Sequence, residues 1–193
     1  MRTNKIAIFA SGSGTNAENL ALNFQNSDDL EVSLILTNKK EAYVIERAKK
    51  LNIPVEIFKK SQLVEGNYII NLLQQNKIDF IVLAGFLLKI PESLIAAYPE
   101  KIINIHPSLL PKYGGKGMFG QYVHQAVIAA GEKISGITIH LVNEEYDKGE
   151  ILSQEKCEIT PSDTADNLAH KIHQLEYKHF PRVVESYITR FGN

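Results

Sequence analysis

One cysteine in the whole chain, Cys157, excludes an intrachain disulfide framework and fits a reducing compartment. Neither charge sign dominates. Lys and Arg number 21 against 22 Asp and Glu, so there is no basic excess for wrapping nucleic acid or docking on anionic lipid. Long apolar runs are missing too. After Met1-Arg2-Thr3-Asn4-Lys5 only a handful of apolar residues precede Ser11-Gly12, too few for the hydrophobic part of a signal peptide. No later run reaches the ~18 residues that span a bilayer. Low-complexity tracts, repeats and linker-like stretches are likewise lacking. What is present is 193 residues, 44% of them hydrophobic, enough to bury a sizeable core as one domain. The expectation is a soluble cytoplasmic protein, a single domain over 1–193, with neither nucleic acid nor membrane as partner.

Short apolar runs alternate with segments of helical period. Ile6-Ala7-Ile8-Phe9-Ala10, Val32-Ser33-Leu34-Ile35-Leu36, Val55-Glu56-Ile57-Phe58, Phe80-Ile81-Val82-Leu83-Ala84 and Ile102-Ile103-Asn104-Ile105 read as strands. Helices are expected over 17–22, over 41–51, around Ile69, Ile70, Leu72 and Leu73, and near 91–98. The run at Phe80 is continuous rather than alternating, as in a parallel sheet covered on both faces. This rhythm predicts a doubly wound, mostly parallel open α/β sheet. The last third differs. Gly136 to Val142 and Ile151 to Gln154 read as strands joined by a loop, hence an antiparallel edge. A long closing helical region over 164–190 follows, with Pro181 expected to interrupt it. Ligands of such sheets bind beyond the carboxyl ends of the strands, where Ser11 to Asn16, Gly85-Phe86 and His106 fall.

Ser11-Gly12-Ser13-Gly14-Thr15-Asn16 joins the first strand to the first helix. Its glycines allow close backbone approach, and the helix N-terminus offers N–H groups to an anion. It lacks both the G-x-G-x-x-G spacing and the lysine of a P-loop, which favours a single phosphate monoester over a dinucleotide or triphosphate. The same residues also fit a plain strand-to-helix turn capped by Ser or Thr. In Asn104-Ile105-His106-Pro107-Ser108-Leu109-Leu110-Pro111, Asn104 and His106 lie two apart and project to one side of a strand end. Asp147 falls in a loop signal, Tyr146-Asp147-Lys148-Gly149. An amide for an oxyanion, an imidazole for protons and a carboxylate to orient it suit acyl transfer. The other reading is that His106 caps a turn and Asp147 is solvated.

Asn-x-His-Pro-Ser-Leu-Leu-Pro followed downstream by Asp-x-Gly resembles the formyltetrahydrofolate-dependent formyltransferase family. Ser11 to Asn16, Leu83-Ala84-Gly85-Phe86, and Leu175-Glu176 before Phe180-Pro181 extend the likeness over nearly the whole chain, toward the branch that acts on glycinamide ribonucleotide. The resemblance implies 10-formyltetrahydrofolate as co-substrate, no metal, and a monomer or homodimer. It implies that Asn104, His106 and Asp147 carry the chemistry. Gly14, Thr15, Asn16 and Leu87 would hold the ribonucleotide, its phosphate on the first three, with His173 and Glu176 near its ribose. Leu88, Lys89, Ile90, Val142, Asn143, Glu144 and Asp147, with Asn104, would frame the folate, largely through backbone. It implies a phosphate-binding half over about 1–100 and a folate and catalytic half over about 101–193. Two residues depart from the pattern: Leu88 stands where arginine is usual, and His173 where glutamine is.

Other members of the family carry an extra N-terminal regulatory domain, as the formyltetrahydrofolate hydrolases do, or a C-terminal barrel, as the methionyl-tRNA formyltransferases do; this chain is expected to have neither. A non-catalytic nucleotide-binding module would use the glycine loop but leave Asn104, His106 and Asp147 idle. The segment 112–123, with Gly114, Gly115, Gly117 and Gly120, is longer than the family's usual connection. It is read either as a mobile cover or as the start of a helix. As a cover, Met118, Phe119 and Tyr122 would close over a pterin while Lys112 and Lys116 meet an anionic group. As a helix start, it would bury those apolar residues in the core.

Overall fold

Why the first strand sits in the middle of the sheet follows from its burial. Ile6, Ala7, Ile8, Phe9 and Ala10 are all 0% exposed, so layers cover both faces. The computed structural model describes residues 2–65 and 67–191. Two compact units appear, one of Met1–Ile103 with Val184–Asn193 and the other of Asn104–Val183. In chain order the first contains β1 (Asn4–Phe9), α1 (Thr15–Phe24), β2 (Leu30–Thr37), α2 (Val44–Lys50), β3 (Val55–Ile57), α3 (Lys60–Glu65), α4 (Asn67–Gln75), β4 (Phe80–Leu83) and α5 (Glu92–Ala97). The strand β5 (Ile102–His106) carries the chain into the second unit, which adds α6 (Gln121–Ala129), β6 (Ile134–Leu141), β7 (Ile151–Glu158) and most of α7 (Ala165–Phe191).

Strand order is β3-β2-β1-β4-β5-β6-β7. β1 pairs parallel with β2 and β4, and β2 with β3, while β6 and β7 pair antiparallel. The order reverses between β1 and β4, the switch point at which loops after adjacent strands diverge and leave a crevice. Helix α1 buries Ala17, Leu20, Ala21 and Phe24, the one-faced spacing that an amphipathic helix needs. The loop after β4 is drawn onto β1 by aromatic packing: Phe86 lies edge-on to Phe9 at 5.3 Å.

The doubly wound sheet with an antiparallel edge and a long closing helix is the one expected, with local differences. The helix read around Ile69 is α4, and helical residues also precede it as α3. Pro181 does not interrupt α7, which runs through it. Proline removes a backbone bond and crowds the preceding turn, but Leu168, Ile172, Phe180, Val184 and Ile188 form a fully buried four-residue series on both sides of it. Burial of that face outweighs the local defect. The helix begins at a reciprocal cap: Thr164 Oγ1 accepts the Asn167 N–H (3.2 Å) and Asn167 Oδ1 accepts the Thr164 N–H (3.0 Å). In 112–123 the core reading fails for the aromatics. Phe119 and Tyr122 are 39% and 60% exposed and pack on each other, and the first residue of that stretch to be buried is Val123, inside α6. No helix among the described residues is long and apolar enough to cross a membrane.

The β6–β7 pairing requires glycine at 136, where a Cβ would stand 1.9 Å from the Glu155 carbonyl oxygen. Gly136→Ala should cost about 2 kcal/mol or more of unfolding free energy. Gly12→Ala, with nothing within 4 Å of the new methyl, should change it by about 0.5 kcal/mol or less. Urea titration of both variants checks the contrast; equal stabilities would mean that β6 and β7 can separate at no cost.

Candidate active site

The loop after β1 is built around Ser11. Its N–H donates to the Gly85 carbonyl (3.0 Å), its hydroxyl donates to Asn38 Oδ1 (2.7 Å) and accepts the Leu87 N–H (3.1 Å). Ser11 therefore ties the loops after β1 and β4 together, and its buried hydroxyl is spent on structure rather than offered to an anion. Gly14 has φ 73° and lies so close to Val44 that a Cβ would stand 2.4 Å from Val44 Cγ2. Only glycine fits there. It is the N-cap of α1 and makes no side-chain cap hydrogen bond, so the expected Ser or Thr cap is not how this turn closes. Thr15 and Asn16 form the first turn of α1 directly after it. Arg47 is held by the Ser13 carbonyl (2.9 Å) and the Glu18 carboxylate. Further on, Leu87 is 39% exposed, Leu88 half-buried and Lys89 exposed, while Ile90, 3% exposed, can offer a ligand only its main chain.

In the second unit the end of β5 presents Asn104 and His106, two residues apart on one face as the strand period requires. Asp147 comes from the β6–β7 loop. That loop is closed by Leu141 N–H donating to the Glu150 carbonyl (2.8 Å), and Gly149 runs so near that a Cβ would sit 1.7 Å from the Leu141 oxygen. Inside it Asn143 Oδ1 accepts the Glu145 N–H (3.0 Å) and Asn143 Nδ2 donates to the Lys148 carbonyl (3.2 Å), and Asp147 adopts φ 54°. These contacts turn its carboxylate toward both imidazoles: Oδ2 is 3.6 Å from His106 Nδ1, and Oδ1 is 3.7 Å from His140 Nε2. Val142 and Asn143 are half-buried and Glu144 exposed.

His140 is the residue that sequence reasoning missed. It is 2% exposed on β6, and its Nδ1 lies 2.7 Å from the Leu141 carbonyl. A carbonyl only accepts, so Nδ1 carries the proton and Nε2 the lone pair, which receives an Asn104 Nδ2–H at 3.0 Å. This fixes which way the Asn104 amide points. The sequence signal was the alternation of β6, which puts residues 136, 138 and 140 on one face; nothing marked an imidazole there as a neighbour of Asn104. Residue 138 matters too. Thr138 Oγ1 donates to the Ser108 carbonyl (2.7 Å) and accepts the Leu110 N–H (3.0 Å), holding the exit from β5.

By the same logic His106 Nε2, 2.8 Å from the Tyr113 carbonyl, carries a proton, and its other nitrogen, Nδ1, faces Asp147. Burial pushes His106 below its usual range, against the pull of Asp147 and the Tyr113 carbonyl. Burial also works to raise Asp147. The nearby His140 ring, the charge of His106 and the Gly115 N–H, which donates to Oδ2 at 2.7 Å, together outweigh it and hold the carboxyl below the usual range. On α7, Glu176 is 5% exposed and accepts from His173 Nδ1 at 2.8 Å, which raises the His173 pKa. Histidine at 173 therefore supplies this buried carboxylate with a partner that can be cationic. His124, 3% exposed on α6, is held low chiefly by burial. Among the described residues no group of three or more His, Cys, Asp and Glu side chains is arranged to hold a metal ion.

A half-buried amide and carboxylate beside a buried imidazole, at the end of a strand in a doubly wound sheet, suit group transfer without a nucleophilic side chain. The chain belongs to the formyl transferase family, whose pattern it matches over residues 4–184. It is 40% identical over 189 residues to the chloroplastic phosphoribosylglycinamide formyltransferase of Arabidopsis thaliana, covering 95% of this chain and 65% of that protein. To the phosphoribosylglycinamide formyltransferase of Bacillus subtilis it is 38% identical, over 94% of this chain and 93% of that one. The crystal structure of phosphoribosylglycinamide formyltransferase from Bacillus halodurans superposes with a TM-score of 0.87 at 37% identity, covering 96% of both chains.

Because His140 reaches the chemistry through Asn104, His140→Ala should lower kcat about 10- to 100-fold with little change in KM. The Asn104→Ala/His140→Ala double variant should be no slower than Asn104→Ala alone. Multiplicative losses in steady-state kinetics would show that His140 acts independently.

Stability should also carry the signature of the buried imidazoles. His106 and His124 sit below the ordinary value of 6.5, so the unfolded chain binds protons there that the native state does not. Their contribution is complete above 6.5 and lost as pH falls through the depressed native values. His173, raised by Glu176, has the opposite sign: its contribution is present below 6.5 and lost as pH rises through its native value. Replacing His124 by Gln should make the fall in unfolding free energy from about pH 7.5 to about pH 5.5 shallower. An unchanged slope in denaturant titrations would rule His124 out as a source.

Proposed function

We propose that this chain transfers the formyl group of 10-formyltetrahydrofolate to the amine of glycinamide ribonucleotide, a step of purine biosynthesis. The observation that carries this reading is the Asn104–His140–Asp147–His106 cluster at the end of β5. It provides an oriented donor and a buried acid–base pair but no side-chain nucleophile, as direct transfer between two nitrogens requires. The likeness to phosphoribosylglycinamide formyltransferases supports the choice of acceptor. The chain spans about two thirds of the plant relative and most of the bacterial one, and the reaction is proposed for the chain as a single formyltransferase domain acting in the cytoplasm.

In this scheme Asn104 receives the negative charge that forms on the formyl oxygen when the substrate nitrogen bonds to the formyl carbon, using the N–H not given to His140. Once it holds the proton given up by the attacking nitrogen, His106 is cationic and adds its positive charge to the same stabilisation. His106 Nδ1, directly or through a water held by Asp147, takes the proton that the attacking nitrogen must lose. That proton goes to the folate nitrogen as the original carbon–nitrogen bond breaks, so the transfer is neutral in protons and electrons and calls on no metal. The α1 N-terminus, with Gly14, Thr15 and Asn16, holds the phosphate, with Leu87 beside it. Glu176 and His173 bind near the ribose and amine. Leu88, Lys89 and Ile90 of the first unit are folate-binding residues, and so, in the second, are Val142, Asn143 and Glu144. With Leu at 88, that position supplies apolar surface rather than a guanidinium.

Isotopically labelled formyl donor, offered with glycinamide ribonucleotide, with a methionyl-tRNA acceptor or with water alone, tests the assignment. Label should pass to the ribonucleotide; passage only to the tRNA, or release only as formate, would overturn it. Thr15→Ala and Asn16→Ala should raise KM for glycinamide ribonucleotide about tenfold while leaving folate KM unchanged, since each removes part of a phosphate cradle. Equal losses with a phosphate-free acceptor would reassign the loop.

A further inference from the structure

Two main-chain groups of the segment after β5 grip the acid–base pair. The Tyr113 carbonyl accepts from His106 Nε2 at 2.8 Å, and two residues later the Gly115 N–H donates to Asp147 Oδ2 at 2.7 Å. Between them Gly114 passes so close to Asp147 that an added Cβ would lie 3.3 Å from the aspartate Cβ and 2.5 Å from Leu110 Cδ2. This clasp is made of backbone unsuited to holding itself. Tyr113 has φ 57°, an uncommon conformation for a bulky residue, and Gly115 and Gly117 have φ 94° and 89°. Glycine-rich chain is costly to order, so a clasp of defined direction needs an external anchor.

The anchor is one carboxylate in the turn between α6 and β6. Glu132 Oε1 accepts from Lys112 Nζ at 2.8 Å and from the Tyr113 hydroxyl at 3.0 Å. Those two partners are the last residues before the glycines, and the Lys112 carbonyl is in turn held by Ser108 Oγ at 2.7 Å. Resting on the functional reading above, we propose that Glu132 is a positioning residue for the His106–Asp147 pair. By holding Lys112 and Tyr113 it fixes the left-handed turn that aims the Tyr113 carbonyl at His106 Nε2 and the Gly115 N–H at Asp147. Its effect is directional rather than energetic, because a solvent-exposed ion pair contributes little to overall stability. The consequence is a single His106 tautomer, protonated at Nε2, with Nδ1 reserved for proton exchange.

The titratable groups facing His106 are Asp147 from the β6–β7 loop, His140 from β6, and Glu176 from α7, with His124 of α6 coupled to it as well. None is altered by a change at 132. Nitrogen-15 NMR of the full chain without substrate, with the His106 ring signals assigned by their loss in His106→Asn, reads the tautomer and the titration directly. In the wild-type protein neutral His106 should carry its proton on Nε2. In Glu132→Ala the tautomers should mix and the titration midpoint should fall by about 0.5 unit, since the Tyr113 carbonyl favours the protonated ring. Glu132→Gln, which keeps an acceptor for both partners, should restore the wild-type tautomer, and Tyr113→Phe should shift it part of the way. Turnover in formyl transfer should fall about tenfold or more in Glu132→Ala with KM nearly constant. Unchanged His106 spectra in both Glu132→Ala and Tyr113→Phe would overturn the proposal. Wild-type protein that fails to transfer formyl groups to glycinamide ribonucleotide would instead overturn the functional reading, since the NMR measurement needs no substrate.

Discussion

Burying two imidazoles and a carboxylate side by side at the end of β5 is the demand that the surrounding structure answers. His106, His140 and Asp147 each lose most of their water, and an unpaired polar atom there would cost more than most single contacts return. Each is instead given a main-chain partner. His140 takes the Leu141 carbonyl, His106 the Tyr113 carbonyl and Asp147 the Gly115 N–H. Backbone partners have no alternative rotamers, so they fix tautomers and ring planes more firmly than side chains would. The carboxylate and the amide are thereby oriented before any ligand arrives, which is how electrostatic stabilisation acts without reorganisation at the moment of reaction.

That demand explains where the second unit uses unusual backbone. Asp147 and Tyr113 adopt positive φ, and Gly114, Gly136 and Gly149 stand where a methyl group would strike another residue. Strained or glycine-dependent positions cost stability and persist only where neighbours hold them. Apart from Gly136, which lies within β6, they gather on the two segments that deliver groups to His106. The first unit shows the same economy at the β1–β4 switch point, where one buried serine joins two loops and Gly14 lets α1 begin against Val44.

Much of this was legible in the residues. Continuous apolar runs with helical segments between them announced a parallel sheet covered on both faces, and the late change of rhythm announced the antiparallel edge. Asn104 and His106 could be placed on one face because strand period is independent of context. Three readings failed for physical reasons. Pro181 did not break α7, because tertiary burial on both sides outweighed a local penalty. The first turn of α1 closed on glycine instead of a hydroxyl, because Val44 leaves no room for a side chain. Phe119 and Tyr122 stayed at the surface although hydrophobic, because Phe119 precedes α6 and Tyr122 falls on the exposed face of its first turn, where the two rings pack on each other while Val123, His124 and Val127 take the buried face.

Residue types and their spacing by themselves determined the fold class, the place of the glycine loop, and the presence of an amide, an imidazole and a carboxylate suited to acyl transfer. These depend on local period and composition, which a linear sequence carries in full. Only the tertiary structure decided that His140 stands between Asn104 and Asp147, that His106 Nε2 meets the Tyr113 carbonyl while Nδ1 faces Asp147, and that Ser11 serves the fold. Hydrogen-bond direction and tautomer depend on atoms far apart in the chain, 36 positions between Asn104 and His140 and 76 between Ser11 and Leu87, brought within a few ångströms by folding. No pattern of neighbours along the chain records which of those distant groups will face one another.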